Sequence, residues 1–215
     1  MRASDQLQPG RVGGGVYPEL KRSRGLSLEG RADWADVAQA LNVAVYGGLL
    51  AYIRRYPQAL IAPLMLQVHD ADGTPRRLQA GDIASMDDRA LGRLVMACLR
   101  PGPINLQWYP AGEGGYPYWH CELYPRSPDA ETLHRHLLWT IYLNEGFDGG
   151  ETEFLFQRRK VVPRTGNLLI APTAYHRILF RLGDKEHLVR VANRVTIAGL
   201  EPLWIDDVVN EVYPS

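Results

Sequence analysis

Residues 104–125, INLQWYPAGEGGYPYWHCELYP, mark the point at which the sequence changes from a helical to a strand-like pattern. Two short runs of aliphatic and aromatic residues, 104–109 and 116–123, flank a glycine-rich turn. Short apolar runs punctuated by Gly and Pro predict antiparallel strands. Six further runs of this kind follow before residue 200. Eight short strands within about a hundred residues are typical of a jelly roll.

The half of the chain before this stretch carries helical patterns. In residues 33–56, apolar residues recur at steps of three to four, and Pro57 marks the end of the pattern. A second such pattern occupies residues 85–100, with Ser85 or Asp87 as its N-terminal cap. Helices that precede a run of strands predict helices packed against one side of the sheet structure.

The sequence therefore predicts an α+β fold: a double-stranded β-helix, or cupin-like jelly-roll barrel, with N-terminal supporting helices. Residues 1–26 are rich in Gly, Pro, Arg and Ser, and we expect them to be flexible or wrapped over the surface. We expect residues 27–215 to form one domain. Its parts are a mainly helical support (27–103), the jelly-roll core (104–202) and a C-terminal tail (203–215).

Charge and cysteine content narrow the choice of partners. The 215 residues carry 24 basic and 24 acidic side chains, so no net charge favours nucleic acid or an anionic membrane, and we expect neither as a partner. The two cysteines, Cys98 and Cys121, fit a reducing cytosol. The N-terminus has no apolar core of a signal peptide, and no run of eighteen uncharged apolar residues occurs. We expect a cytoplasmic protein.

His120 and Glu122 are the first candidates for chemistry. Side chains two apart on a strand share a face, so this imidazole and carboxylate give two ligands on one side of a metal ion. His176 is the best candidate for a third ligand. Two histidines and one carboxylate form the facial arrangement of non-haem Fe(II) oxygenases. The spacing alone also fits a strand histidine hydrogen-bonded to its neighbour.

Three blocks of sequence carry a family resemblance. They are WYPAGEGGYPYWHCE (108–122), LLWTIYLNEGFDGGETEFLFQ (137–157) and VVPRTGNLLIAPTAYH (161–176). In this order they resemble the 2-oxoglutarate and Fe(II)-dependent oxygenases of the prolyl 4-hydroxylase-like group. The resemblance covers about residues 105–200. The helical half of the chain has no counterpart in it.

The resemblance implies a set of cofactors and their ligands. It makes His120, Glu122 and His176 the iron ligands, with glutamate where the family more commonly has aspartate. Tyr109 and Tyr142 match tyrosines that line the 2-oxoglutarate pocket in such enzymes. The implied cofactors are Fe(II) and 2-oxoglutarate, with O2 as co-substrate and ascorbate as an optional addition.

The family holds the C5 carboxylate of 2-oxoglutarate with a basic residue on the last strand of the barrel. A guanidinium suits this role because its planar fork meets a carboxylate through two bonds. The usual spacing falls on Lys185, in what reads as a hairpin turn. We therefore expect Arg194 in this role, with Arg190 close behind on the same face of the strand. Thr196 adds a hydroxyl for the same carboxylate.

The implied activity is hydroxylation of a C–H bond in an amino acid, peptidyl residue or small molecule, with release of succinate and CO2. Arg135, Tyr116 and Trp119 are the candidates for contact with that substrate. One alternative is a catalytically silent metal- or ligand-binding jelly roll, because fold does not fix function. Another keeps both cofactors but yields a different oxidative outcome. The sequence assigns neither the substrate nor the oligomeric state.

Overall fold

The computed structural model describes residues 4–123, 131–173, 178–181 and 188–197. Side-chain positions are described for most of these residues. The chain divides into two compact units, which comprise Met1–Leu41 with Pro101–Val195, and Asn42–Arg100 with Thr196–Ser215.

The helices and strands have the following bounds. The α-helices are α1 (Ala35–Arg55), α2 (Gln58–Leu64), α3 (Ala80–Ser85) and α4 (Asp88–Cys98). The strands are β1 (Gln8–Pro9), β2 (Arg24–Ser27), β3 (Gln67–His69), β4 (Pro75–Arg77), β5 (Leu99–Pro101), β6 (Asn105–Tyr109), β7 (Gly115–His120), β8 (Arg135–Tyr142), β9 (Thr152–Phe154), β10 (Arg159–Val161), β11 (Leu168–Pro172), β12 (Ile178–Arg181) and β13 (Leu188–Ile197). Short 3₁₀ helices lie at Ser4–Gln6, Ala32–Trp34 and Glu131–His134.

The first unit is built from two antiparallel sheets. The larger sheet has the order β1-β2-β6-β13-β8-β11, and the smaller has the order β10-β9-β12-β7. The chain alternates between the sheets, so that strands distant in sequence become neighbours, as in a jelly roll. All eight strands expected after residue 103 are present, as β6 to β13.

Within the described residues, neither sheet closes into a barrel, so the predicted barrel is corrected to a cupin-like pair of sheets. Leu138 and Ala171 from the larger sheet pack against Phe154 from the smaller one, and all three are buried. Strands β9 and β10 have three residues each, which leaves little backbone to continue a ladder into the larger sheet.

The N-terminal segment is joined to the larger sheet. Strand β1 pairs with β2, and β2 pairs with β6, where Leu26 lies opposite Leu106. Leu7 and Leu26 are both buried. From its content of Gly, Pro, Arg and Ser, the sequence predicted that residues 1–26 are flexible or wrapped over the surface. Strands β1 and β2 are too short to show an alternating apolar pattern, so the sequence did not indicate their pairing. We name residues 10–23, between β1 and β2, the N-terminal strap.

From Asn42 onward α1 belongs to the second unit, and one side of this part of the helix is buried. Val45, Leu49 and Ile53 are buried at steps of four, as the 3.6-residue helical period requires. The helix runs unbroken through Gly47 and Gly48, although glycine inside a helix costs roughly 0.5–1 kcal/mol relative to alanine.

Helix α4 confirms the second predicted helix. Asp87 is its N-cap, and the side chain accepts a hydrogen bond of 2.7 Å from the amide of Ala90. The predicted apolar stripe is buried, and burial raises the pKa of the Cys98 thiol to about 12. The members of that stripe are Leu91, Leu94, Val95 and Cys98.

One helical stretch of the described residues, Ala32–Arg55, is long and apolar enough to cross a membrane by length and composition. A single helix of this kind near the N-terminus is weak evidence, because helices of soluble proteins and signal sequences share these properties.

Candidate active site

A cavity of about 380 Å³ lies between the two sheets of the first unit. Leu138, Trp139 and Leu169 of the larger sheet form an apolar part of its wall. His120, at the end of β7, and Arg190, on β13, bring ionisable groups to the same cavity. The cavity therefore combines apolar walls with a few polar groups, as ligand sites generally do.

A bulge in β7 sets the position of His120. Opposite strand β12, His120 pairs with Ile178 and Tyr116 pairs with Phe180, so that four residue steps on β7 face two on β12. Pro117, inside the bulge, has no amide hydrogen for the ladder. In a regular strand, residues four apart are separated by about 13 Å. Here the rings of Tyr116 and His120 stack with centroids 3.9 Å apart, because the bulge shortens the strand.

The hydrogen bond of His120 fixes which nitrogen faces the cavity. Nδ1 lies 2.9 Å from the carbonyl oxygen of Tyr118, which can only accept, so Nδ1 carries the proton. Nε2 lies 3.8 Å from Oε1 of Glu122. Burial lowers the pKa of the imidazole, and the cations Lys21 and Arg190 act in the same direction, against the Tyr118 carbonyl and Glu122. At neutral pH the ring is neutral, and Nε2, which lies 3.8 Å from Glu122, carries the lone pair.

The carboxylate of Glu122 reaches this position through a bend and not through the pleat of a strand. Strand β7 ends at His120, so the alternation that the sequence suggested does not extend to Glu122. Arg135 supports the bend: its Nη1 donates to the backbone carbonyl of Glu122 at 3.2 Å and lies 3.8 Å from Oε2. The structure thus places Arg135, predicted to face substrate, against the metal-ligand candidate.

The geometry of His120 and Glu122 fits a cation between them. A neutral imidazole nitrogen and a carboxylate oxygen are both acceptors, so they repel unless a positive charge joins them. Ligands of one ion, each bound at about 2.1 Å, lie at most about 4.2 Å apart, and the 3.8 Å separation falls within this limit. Among the described residues, no three His, Cys, Asp or Glu side chains cluster as a metal site. His176, the predicted third ligand, lies outside the described residues.

Arg190 is held in the cavity wall by two side chains of β6. Its Nε donates to Oε1 of Gln107 at 2.9 Å, and its Nη2 donates to the hydroxyl of Tyr109 at 2.9 Å. The Tyr109 hydroxyl in turn donates to Gln107 at 3.1 Å, and Tyr109 is fully buried. These bonds orient a guanidinium at a cavity, where it is suited to bind a carboxylate.

Tyr142 lies behind the cavity wall. Its hydroxyl shares a 2.7 Å hydrogen bond with Thr152, a residue of the wall, and burial raises the pKa of the phenol. Its ring packs with Tyr109 and Leu188 in a buried cluster. Tyr142 therefore supports the two sides of the cavity that carry Thr152 and Arg190.

The remaining predicted residues fall in different places. Tyr116 lines the cavity, whereas Trp119 is 37% exposed and is not part of the described lining. Arg194 and Thr196 lie on β13, but their side chains are outside the described residues.

Gln107, Arg11 and Lys21 are among the cavity residues that sequence reasoning missed. Gln107 could have been found, because it precedes Tyr109 by two and so shares its strand face. Arg11 and Lys21 come from the N-terminal strap and carry no sequence signal of a site.

Comparison with known proteins gives similarity in fold. A family of unknown function (DUF6328) matches residues 163–208, and no curated protein matches the chain. A Pseudomonas putida prolyl-4-hydroxylase gives a TM-score of 0.53 at 16% identity, over 92% of this chain and 81% of that one. A Trichoplax adhaerens prolyl hydroxylase, solved with a hypoxia inducible factor oxygen degradation domain peptide fragment, gives 0.57 at 12% identity, over 91% and 72%. At these identities the likeness establishes a shared fold.

Proposed function

We propose that the protein is an Fe(II)- and 2-oxoglutarate-dependent dioxygenase that hydroxylates a C–H bond of an amino acid, peptidyl residue or small molecule. The observation that carries this proposal is the neutral Nε2 of His120 facing the Glu122 carboxylate at 3.8 Å, in a cavity that also contains Arg190. An acceptor pair and a fixed guanidinium are the groups that a metal ion and a dicarboxylate require. The fold shared with two prolyl hydroxylases supports the same reading.

His120 and Glu122 would hold the metal, with His176 as the third ligand implied by the resemblance of the sequence. The Nδ1–H bond to the Tyr118 carbonyl keeps the imidazole in the tautomer that leaves Nε2 available as a ligand. Arg135 holds the bend that carries Glu122. One methylene longer than aspartate, Glu122 still supplies a hard oxygen ligand of the kind that Fe(II) accepts.

Arg190 would bind the far carboxylate of 2-oxoglutarate. Its orientation by Gln107 and Tyr109 is fixed before any ligand arrives, which lowers the entropic cost of binding. Arg194 and Thr196 remain the alternative on the same strand, and the described contacts favour Arg190 because its guanidinium lines the cavity.

When bound, iron with 2-oxoglutarate supplies the oxidising chemistry, whose products besides the hydroxylated substrate are succinate and CO2. The protein's part is to bind, orient and exclude water. Leu138, Trp139 and Leu169 present apolar surface to the cavity, which strengthens polar contacts within it.

Anaerobic titration with Fe(II) and 2-oxoglutarate tests the proposal, since their chelate has a weak visible charge-transfer band. We expect the band in the wild type and in His69→Ala, which removes an exposed histidine of the β3–β4 hairpin. We expect no band in His120→Ala. Absence of the band from folded, iron-loaded wild type would refute the oxygenase and favour a silent ligand-binding jelly roll.

A further inference from the structure

The N-terminal strap is fixed to itself and to strand β7. The amide of Gly10 donates to the carbonyl of Ser23 at 2.8 Å, which closes the strap at its base. Arg22 and Gly115 exchange two backbone hydrogen bonds, of 2.9 and 3.1 Å, which join the strap to the first residue of β7. These bonds hold the strap beside the strand that ends in His120.

Two cations on the strap lie at the cavity. Lys21 is half-buried, and its ammonium lies 5.6 Å from the centroid of the Tyr116 ring, a cation–π distance. The Tyr116 ring also stacks on His120, so Lys21 and the metal-ligand candidate both lie next to the same ring. Arg11 also lines the cavity, and its guanidinium donates to the carbonyl of Gly14 within the strap.

The charges of the described residues that line the cavity do not balance. Among the described residues that line it, the cations are Arg11, Lys21 and Arg190, and Glu122 is the one acid. Fe(II) and the 2-oxoglutarate dianion carry equal and opposite charges, so binding both leaves the net charge of the cavity unchanged. Glu122 is assigned to the metal and Arg190 to 2-oxoglutarate, and their own charges cancel. The excess positive charge of the described lining is therefore that of Arg11 and Lys21 on the strap.

We propose that Arg11 and Lys21 bind an oxyanion of the substrate, a carboxylate or a phosphate, and that the enzyme acts on anionic molecules. This proposal rests on the proposed function. A confined cavity with excess positive charge raises the local concentration of anions and disfavours neutral or cationic ligands. An internal residue of a neutral peptide offers the strap only uncharged carbonyl oxygens, whereas an acidic metabolite or a free amino acid offers a charged carboxylate.

Isothermal titration calorimetry with small anions tests the strap site. The probes are inorganic phosphate and acetate, with acetamide as the neutral counterpart, added anaerobically at low ionic strength to protein saturated with Fe(II) and 2-oxoglutarate. We expect phosphate or acetate to bind wild type and acetamide not to bind. In the double variant Arg11→Gln/Lys21→Gln, we expect the anion Kd to rise at least about tenfold, because two charge-assisted contacts are lost. Tighter binding of phosphate assigns a phosphate-bearing substrate, and tighter binding of acetate assigns a carboxylate.

Arg22→Gln is the matched control, since it removes an exposed arginine of the same strap that does not line the described cavity. We expect its anion Kd to stay within about twofold of wild type. Equal anion binding in all variants, with the charge-transfer band intact, would overturn the strap site and leave the oxygenase standing. If the band is missing, the oxygenase fails. The same anion titration without added Fe(II) and 2-oxoglutarate then tests the strap by itself, and loss of anion binding in the double variant alone supports an anion site there.

Discussion

At the scale of single residues, the candidate site depends on His120 and Arg190 having opposite tasks. Burial lowers the pKa of His120, so that the neutral ring offers a lone pair, while Arg190 brings a guanidinium that donates hydrogen bonds. The Tyr118 carbonyl orients the first, and Gln107 orients the second. The His120 ring and the Arg190 guanidinium are thus each oriented by a hydrogen bond to a neighbouring group that is assigned no part in metal or carboxylate binding.

Replacing Arg190 by lysine tests its assignment to 2-oxoglutarate. Lysine keeps the charge but lacks the planar fork, and it cannot satisfy Gln107 and Tyr109 while meeting a carboxylate through two bonds. We expect the Kd for 2-oxoglutarate to rise at least about tenfold in the anaerobic titration. Arg194→Lys is the control, and a larger effect there would move the role to Arg194.

Asp82 gives a prediction about pH in the second unit. Its carboxylate accepts from both terminal nitrogens of Arg76, at 2.7 and 2.8 Å, and these bonds lower the pKa of Asp82 below 3.8. A lowered folded-state pKa means stability that is fully present above the unfolded pKa and is lost as the pH falls through the folded pKa. We expect Asp82→Asn to lower Tm at pH 7. The difference from wild type should shrink as the pH falls below the ordinary carboxyl pKa of about 3.9 and through the lowered pKa of the folded state. A constant difference would assign the loss to packing.

At the scale of elements, helix α4 offers a matched pair of substitutions at its start. Asp87 caps the helix through the Ala90 amide, whereas Asp88 forms an ion pair with Arg54 and is 82% exposed. We expect Asp87→Ala to lower the free energy of unfolding by about 1 kcal/mol. Asp88→Ala should cost less than about 0.5 kcal/mol, because exposed ion pairs contribute little. Urea denaturation measures both, and equal losses would contradict the cap.

Most elements could be predicted because each carries its own local signal. The eight core strands alternate with turn residues, and the stripe of α4 has a clear 3.6-residue period. Helices α2 and α3 have seven and six residues, too few for a period to show, and the β3–β4 hairpin has three-residue strands. The bulge in β7 could not be predicted, since it is defined by the register against β12.

The candidate site, like the fold, could be predicted only where the sequence carries a local signal. Residue types and spacing made His120 and Glu122 candidates, while the basic group on the last strand was predicted from the family resemblance. The contacts of Arg190 depend on its lying opposite Gln107, a pairing across 83 positions of sequence that no local pattern contains. The strap cations depended on a fold of the N-terminus that the sequence did not indicate.

At the scale of the whole molecule, the two cysteines test different states of the protein: Cys121 can react in the native state, whereas Cys98 reacts only when the second unit opens. Cys98 is fully buried with a thiol pKa of about 12, while Cys121 is half-buried at the cavity. The thiolate is the reactive form, so we expect iodoacetamide at pH 8 to modify Cys121 in the native protein and Cys98 at least about a hundredfold more slowly. Mass spectrometry of timed samples measures both rates. Similar rates would show that the second unit opens readily.

The pairing of β6 with β13 has a consequence for how the protein is made. Gln107 and Arg190 meet only when the first and last core strands are both available. At ribosomal rates of about 5–20 residues per second, the first of these strands waits on the order of 4–16 s for its partner. Until then its edge and the apolar face of β8 are open to other chains in the cell. Chaperone dependence and yield during expression should therefore respond to translation speed across residues 110–188 more than to changes elsewhere.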